Sequence, residues 1–218
     1  MKKISLLFVV LMFLPAFINA EEIKTIKLKQ PQKEGGMPLM EAFSNRKSAR
    51  DFSETELDEQ LLSDLLWAAF GINREKDNKR TAPSAVNWQE IDIYVAMKSG
   101  LFKYNVKEHS LMPFLNKDIR ANAGKQKFVS VPPVTMIYVA DYSKMGVISK
   151  EEKDFYSATD TGFISQNVYL YCASAGLNTV VLGYVDKDSL GKIMDLRKDQ
   201  KIILTQPVGY PIKKLKDK

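Results

Sequence analysis

The sequence predicts one α+β domain, and three observations lead to this fold class. Apolar residues recur at helical spacing over 57–70 and again over 150–175, which indicates two substantial helices. No internal repeat, low-complexity segment or linker divides the chain, so a single core accounts for its length. Segments rich in β-branched and alternating apolar residues are typical of strands. They occupy 90–97, 133–140, 180–185 and 202–208.

The first twenty residues have the pattern of a secretory signal peptide. Lys2 and Lys3 precede an apolar run that begins at Leu6 and falls short of the roughly 20 residues needed to span a bilayer. Ala20 offers a small residue for cleavage. We therefore predict that residues 1–20 are removed and that the protein is exported, to the periplasm of a bacterium. A retained anchor or a buried N-terminal helix is the alternative.

Composition argues against several classes of function. The formal net charge is +6, and it falls to +4 without residues 1–20, which hold two lysines and no acid. The excess cations gather at the two ends rather than on a nucleic-acid-binding module, so we expect no nucleic-acid partner. Cys172 is the single cysteine, which excludes an internal disulfide. His109 is the single histidine, which excludes a His-rich zinc site, so we expect no metal.

Local signals predict where the first elements begin and end. Residues 21–36 are polar and read as a flexible leader, and a short amphipathic helix follows Pro38. Ser53 or Thr55 can cap the second helix, and Gly71 is a natural stop for it. The mature domain is therefore expected to begin near residue 37.

The second half of the chain contains the longest predicted helix. Residues 150–175 carry apolar and small side chains on more than one face, so we expect this helix to be central or at a subunit interface. A short helix is predicted over 188–196. Residues 98–132 are mixed, with one helix expected around 118–128, and we interpret this segment as a lid. No segment after residue 20 is long and apolar enough to span a membrane.

The segment Arg46-Lys47-Ser48-Ala49-Arg50 is a candidate phosphate site. It places three cations and a hydroxyl between two predicted helices. Arginine presents a planar fork of donors that suits phosphate oxygens, and serine adds a neutral donor. A solvated charged loop is the alternative, and this segment alone does not decide between them.

Further pieces accompany this segment in a fixed order. They are the small-residue turn at 81–87, the Ala175-Gly176-Leu177 junction leading into 180–184, and the closing Gly209-Tyr210-Pro211. Together they resemble the nitroreductase superfamily over residues 37–214. Within it, the turn at 82–85 and the segment 104–111 are more similar to the SagB-type dehydrogenases than to the nitroaromatic reductases.

The resemblance implies a fold, an assembly and a cofactor. Helices would surround a central, mostly antiparallel sheet, and two chains would form an intertwined homodimer around the long helix. Two flavin mononucleotide (FMN) sites would lie at the subunit interface, each built from both chains. The implied contacts are Arg46, Lys47, Ser48 and Arg50 at the phosphate and ribityl tail, Ser84 and Asn87 of the other subunit at the ring, Val181, Leu182 and Gly183 through their backbone, and Lys213 or Lys214 at the phosphate. Residues 215–218 would be a basic tail.

The resemblance also implies a reaction. A hydride would pass through the flavin N5 atom to or from a small organic substrate such as a nitro, quinone or enone compound, with NAD(P)H as the usual reductant and no obligatory catalytic side chain. Export conflicts with this reductant, because free NAD(P)H is scarce outside the cytoplasm, so another donor is expected. The alternatives are a non-catalytic flavin-binding or structural dimer on the same fold, and a flavin-destroying or dehalogenating relative.

Overall fold

The structure, a computed structural model, describes residues 23–212. The predicted signal peptide, Lys213, Lys214 and the basic tail lie outside the described residues. The helices are α1 (Leu39–Asn45), α2 (Glu59–Phe70), α3 (Lys150–Ala175) and α4 (Lys187–Ile193). The strands are β1 (Ile26–Lys27), β2 (Ile72–Arg74), β3 (Lys79–Arg80), β4 (Ile91–Met97), β5 (Gly100–Asn105), β6 (Ser110–Leu115), β7 (Val134–Asp141), β8 (Asn178–Thr179) and β9 (Gln200–Gly209).

A seven-stranded sheet in the order β1-β6-β5-β4-β7-β9-β8 organises the described residues. Every neighbouring pair in it is antiparallel, and β2 and β3 form a separate antiparallel pair. The predicted α+β fold with an antiparallel sheet is therefore confirmed. The register of the two central strands pairs Ile91 with Ala140 and Met97 with Val134.

Strand alternation divides the core into two layers, because successive side chains point to opposite faces of a sheet. Val95 and Met136 face α2 and α3 in the larger cluster. Ala96 and Ile137 face α4 in the smaller one, which contains Leu190. Strand β7 is buried along its whole length, so both layers meet there.

Helix α3 has the predicted bounds. Ser149 and Glu152 form a reciprocal capping box at its start, and Gly176 ends it in the left-handed conformation, with φ of 69°. Phe155 and Phe163 remain exposed on this helix, so apolar residues do lie on more than one face, as predicted. Its buried face differs from the expectation, because it also contains polar groups. These are Ser157, Asp160, Thr161 and Ser165.

Helix α2 begins later than predicted. Asp58 caps it by accepting a hydrogen bond from Gln60 N at 2.7 Å. Ser53 and Thr55, the predicted caps, instead bond to each other through their hydroxyls at 2.7 Å. The chain stays extended before Asp58 because Phe52 is buried in a small cluster of its own. The N-cap was therefore misplaced by one turn.

The helix expected around 118–128 is absent from the described structure, and the segment 98–132 is not one separate lid, because part of it belongs to the main sheet. Residues 100–115 form the β5–β6 hairpin inside the main sheet, and 118–128 contains only a single 3-10 turn at Arg120–Asn122. Pro113 makes β6 hard to recognise from the sequence, since proline is rare within strands. It pairs with Phe102 just after a register shift between Leu101 and Phe102.

The strand predicted over 180–185 is also wrong. The chain pairs with β9 only at 178–179 and through one bridge between Leu182 and Thr205. It leaves the sheet because Val180 and Leu182 pack against Phe52 and Val129.

The sequence predicts a flexible leader over 21–36, and the structure shows specific contacts for its described part. Ile26 pairs with Leu111 as the edge strand of the sheet. Lys29 O accepts a hydrogen bond from Ser63 Oγ, and Gln32 N donates to Asp64 Oδ1 at 2.8 Å. Among residues 23–212, no helix has the length and apolar character needed to cross a membrane.

A candidate cofactor site beside the long helix

Residues 46–51 are held in an extended conformation against the chain that follows α3. Ala49 N donates to Thr179 O at 3.0 Å, and Asn178 Nδ2 donates to Asp51 O at 2.7 Å. These bonds fix the backbone of the predicted phosphate segment while most of its polar side chains stay exposed. The segment is therefore attached to the framework of the sheet.

Tyr169 of α3 connects three parts of the predicted site. Its hydroxyl lies 2.8 Å from Ser48 Oγ and accepts the Val181 N–H at 2.9 Å. The guanidinium of Arg46 lies over its ring, 5.4 Å from the centroid. We refer to Arg46, Ser48, Tyr169 and Val181 as the Tyr169 cluster. The structure thus brings Arg46, Ser48 and Val181 together, as the resemblance implied.

Sequence reasoning missed Tyr169. On a helix that also carries Phe155, Phe163 and Tyr171, one more aromatic residue reads as packing. The spacing of Tyr169 from the end of the helix could have indicated its role. Tyr169 shares a helix face with Cys172 and Gly176, which lie three and seven residues further on, at the end where the chain turns back past the phosphate segment.

A small cavity of about 250 Å³ adjoins the Tyr169 cluster. Ligand sites usually enclose roughly 300 to 1,000 Å³, so this cavity suits one part of a nucleotide-like ligand, such as a phosphate with its polyol, and not a three-ring flavin as well. Its lining includes Asn45, Lys47, Tyr169, Gly176, Asn178 and Pro211.

Three cations lie in the segment 46–50, and one of them, Lys47, lines this cavity, which favours an anion. Arg46, Lys47 and Arg50 form no ion pair with any carboxylate among residues 23–212. Three uncompensated cations beside a serine hydroxyl are a donor set that fits a phosphate monoester. The residues present therefore fit the phosphate end of FMN.

Leu182 and Gly183, the two residues that follow Val181, differ in burial. Leu182 is buried, and its backbone N and O both bond to Thr205, at 2.8 and 3.1 Å, so neither group is free for a ligand. Gly183 is exposed. A Cβ there would lie 3.7 Å from Leu204, which is an ordinary contact, so packing does not require the glycine. Its open backbone leaves room for a planar group to approach.

Ser84 and Asn87 lie elsewhere on the same chain. Ser84 Oγ accepts from Gln89 N at 3.0 Å, and Asn87 has left-handed φ of 58°. Ala85 N ties this turn to Asp160 Oδ2 at 2.8 Å. Asp160 precedes Tyr169 by nine residues on α3, which is about 14 Å along the axis at 1.5 Å per residue. One chain therefore does not bring the two groups of predicted residues together.

A pair of buried carboxyl groups supports that turn. Glu90 has no exposed surface, and Asp160 is 3% exposed. Burial, together with the neighbouring Asp160 carboxyl, raises the pKa of Glu90 to about 7, and burial also raises the pKa of Asp160. Neither carboxyl oxygen of Glu90 accepts a hydrogen bond from a described residue. A proton held between the two groups satisfies both of them.

The remaining reactive side chains of the described part have structural roles. The ring of His109 contacts two hydroxyl groups. Its Nε2 lies 2.7 Å from Ser63 Oγ, and its Nδ1 lies 2.8 Å from the Tyr104 hydroxyl. Burial lowers the pKa of His109. Ser63 is fully buried and donates to Lys29 O, so its hydroxyl is not available as a nucleophile. Cys172 is buried, which raises the pKa of its thiol. Residues 23–212 contain no group of three or more potential metal ligands.

Comparison with known proteins gives one consistent family. The sequence model of the Nitroreductase family matches residues 43–210. A provisionally named nitroreductase of Methanocaldococcus jannaschii is 28% identical over 198 residues, which cover 86% of this chain and 98% of that protein.

Solved structures give the same result. A provisionally named nitroreductase of Ralstonia eutropha superposes with a TM-score of 0.84 at 37% identity, covering 94% of this chain and 97% of its own. The NADPH:FMN oxidoreductase of Vibrio harveyi, solved with NAD+, has a TM-score of 0.61 at 17% identity and covers 83% of this chain and 72% of its own. The second likeness concerns the fold alone.

Proposed function

Because the chain belongs to the nitroreductase family, we propose that it is an FMN-dependent oxidoreductase that moves two electrons to or from a small organic substrate, such as a nitro, quinone or enone compound. The family supports a flavin oxidoreductase in general. The observation that carries the finer proposal is the set of uncompensated cations around the Tyr169 cluster. When bound, FMN would supply the two-electron chemistry at its N5 atom.

The chain's own residues bind and orient the cofactor in this proposal. Arg46, Lys47 and Arg50 neutralise the phosphate, and Ser48 donates a hydrogen bond to it. Lys213 or Lys214 adds a further charge from outside the described residues. Val181 and Gly183 bring backbone close to the ring, whereas Leu182 packs in the core and contributes only by holding that backbone in place.

The ring-binding residues Ser84 and Asn87 come from a second copy of the chain. The resemblance to the family implies this arrangement, and it is compatible with the offset of about 14 Å along α3 between Asp160, beside that turn, and Tyr169, beside the phosphate segment. A homodimer would also cover exposed apolar side chains on two helices. These are Leu39, Met40 and Phe43 on α1 and Phe155 and Phe163 on α3, which are 45–77% exposed in one chain.

The absorbance spectrum of the purified protein tests the cofactor. We expect flavin bands, or their appearance as a saturable complex on titration with FMN. Arg46→Ala with Arg50→Ala should abolish binding, because both arginine forks proposed to hold the phosphate are removed. Lys192→Ala with Lys198→Ala is the matched control, since it removes equal charge from the far side of the sheet. A stable dimer that takes up no FMN would support the structural alternative instead.

The physiological electron donor is a separate proposal. We propose a donor other than NAD(P)H, because an exported enzyme works where nicotinamide nucleotides are scarce. Mixing the holoprotein with NADPH without oxygen should leave the flavin absorbance unchanged over seconds. Rapid bleaching would contradict a dedicated non-nicotinamide donor.

Export is proposed from residues 1–20 alone. The positive start, the short apolar run and Ala20 predict cleavage. Expression of the full chain in a bacterial host, followed by fractionation and N-terminal sequencing, should place a protein beginning near Glu21 in the periplasmic fraction. A chain lacking residues 2–20 is the control and should stay in the cytoplasm. Uncleaved protein in the membrane fraction would favour a retained anchor.

A further inference from the structure

We propose that Tyr169 is a positioning residue that makes the site selective for a phosphorylated flavin. Its hydroxyl orients Ser48, and its ring orients Arg46, so that both point to the phosphate. The inference rests on the proposed binding of FMN. It concerns a residue that the sequence motifs do not include, and the contacts of its side chain carry it.

The hydrogen bonds at the phenol favour one direction for the bond between Tyr169 and Ser48. Tyr169 has one hydroxyl hydrogen, and its oxygen already accepts the Val181 N–H at 2.9 Å. The hydrogen is therefore available for Ser48 Oγ, which lies 2.8 Å away. When Tyr169 donates to Ser48, the hydrogen of Ser48 is left free to point outward to an anionic oxygen. A serine that donated to Tyr169 would have no hydrogen left for the ligand.

The ring adds a second restraint. Arg46 lies over it at 5.4 Å from the centroid and has no carboxylate partner among the described residues. Stacking on the ring already restricts the rotamers of this long side chain. Less rotamer freedom is therefore lost when a ligand binds. The arginine fork is thus held in place before the ligand arrives. Tyr169→Phe removes the hydroxyl and keeps the ring, whereas Tyr169→Leu removes both.

The experiment compares FMN with riboflavin, which lacks the phosphate. Dissociation constants are measured by flavin fluorescence for wild type, Tyr169→Phe and Tyr171→Phe. The loss of an acceptor for Val181 N–H affects both flavins alike, so the ratio of the two constants isolates the effect on the phosphate end. We expect Tyr169→Phe to lower the preference for FMN about 5- to 10-fold, the usual effect of losing one hydrogen bond between neutral groups. Tyr169→Leu should lower it further.

Tyr171→Phe is the matched control. The same substitution two residues further along α3 removes a hydrogen bond to Leu61 O, at 3.3 Å, outside the Tyr169 cluster. Its preference for FMN should equal that of wild type. An equal fall in both phenylalanine variants, or an unchanged preference in Tyr169→Phe, would overturn the inference and leave the proposed function standing. A wild-type protein that binds neither flavin would overturn both.

A double-mutant cycle tests whether Tyr169 acts through Ser48. Ser48 is exposed, so Ser48→Ala should fold normally. If Tyr169 acts through Ser48, the double variant should show about the same preference for FMN over riboflavin as Ser48→Ala alone. Additive losses of this preference would contradict a relay through the Tyr169 hydroxyl. The thermal unfolding midpoints of the four proteins distinguish a loss of binding from a loss of the fold.

Discussion

Glu90 and Asp160 place two carboxyl groups where water does not reach. Burial raises the pKa of Glu90 to about 7, against an ordinary value of 4.5. Between these values the folded chain holds a proton that the unfolded chain has released. The free energy of unfolding therefore falls as pH rises from about 4.5 through 7, and levels off above that. Lys144 opposes this shift in pKa without reversing it.

Glu90→Gln should remove this part of the pH dependence. The amide carries no charge at any pH, so the variant should be more stable than wild type at pH 9 and about equally stable at pH 5. The expected wild-type loss across this range is on the order of 2–3 kcal/mol, an upper bound because the pair titrates together. Urea unfolding at pH 5, 7 and 9 measures it. Glu108→Gln, at an exposed position, is the control, and parallel profiles for wild type and Glu90→Gln would contradict the account.

Residue patterns pointed to the polar side chains of the candidate phosphate site but not to the tyrosine that contacts them. Arg46 and Ser48 stood out because their types are exposed, polar and suited to phosphate. Tyr169 did not, because a phenol inside an aromatic-rich helix has the same sequence signature as a core residue. Its role appears only when α3 and the chain after Thr179 are placed together.

Elements with strong local signals were predicted well. The bounds of α3 follow from the capping box at Ser149 and from Gly176, both of which act within one turn of the helix. The β5–β6 hairpin was missed because its pairing depends on partners across the sheet, and Pro113 weakens the local pattern. Secondary structure set by neighbouring residues was thus accessible, and structure set by distant contacts was not.

Gly176→Ala tests the end of α3. Gly176 has φ of 69°, a conformation that costs a residue with a Cβ about 1 kcal/mol. No atom lies within 4 Å of a Cβ built there, so the expected loss of about 1 kcal/mol reports backbone strain alone.

Gly191→Ala is the control, and its expected effect on stability has the opposite sign. Gly191 lies inside α4, and a Cβ there would only approach Leu196 at 4.0 Å. Alanine should stabilise this helix by roughly 0.5–1 kcal/mol. Urea unfolding of both variants measures the pair, and a loss at Gly191 equal to that at Gly176 would mean that packing and not backbone conformation dominates.

The predicted site residues fall into two groups that lie at different points along one helix of the chain. The phosphate segment lies near Tyr169, and the turn with Ser84 and Asn87 lies near Asp160, at the other part of the same helix. A two-fold axis that crosses α3 would bring the turn of one chain towards the phosphate segment of the other, because symmetric dimers repeat each contact twice. The proposed homodimer therefore supplies each site with residues from both chains.

Complementation between two defective chains tests this arrangement. Arg46→Ala with Arg50→Ala removes the phosphate contacts, and Ser84→Trp, in a separate chain, blocks the position proposed to face the ring. Neither homodimer should bind FMN. After unfolding and refolding as an equal mixture, half of the dimers should contain one chain of each kind, and each of these has one of its two sites intact. About a quarter of all sites should then bind FMN. If each site were built from one chain, the mixture would bind no more than its parents, and the division of the site between two copies would be wrong.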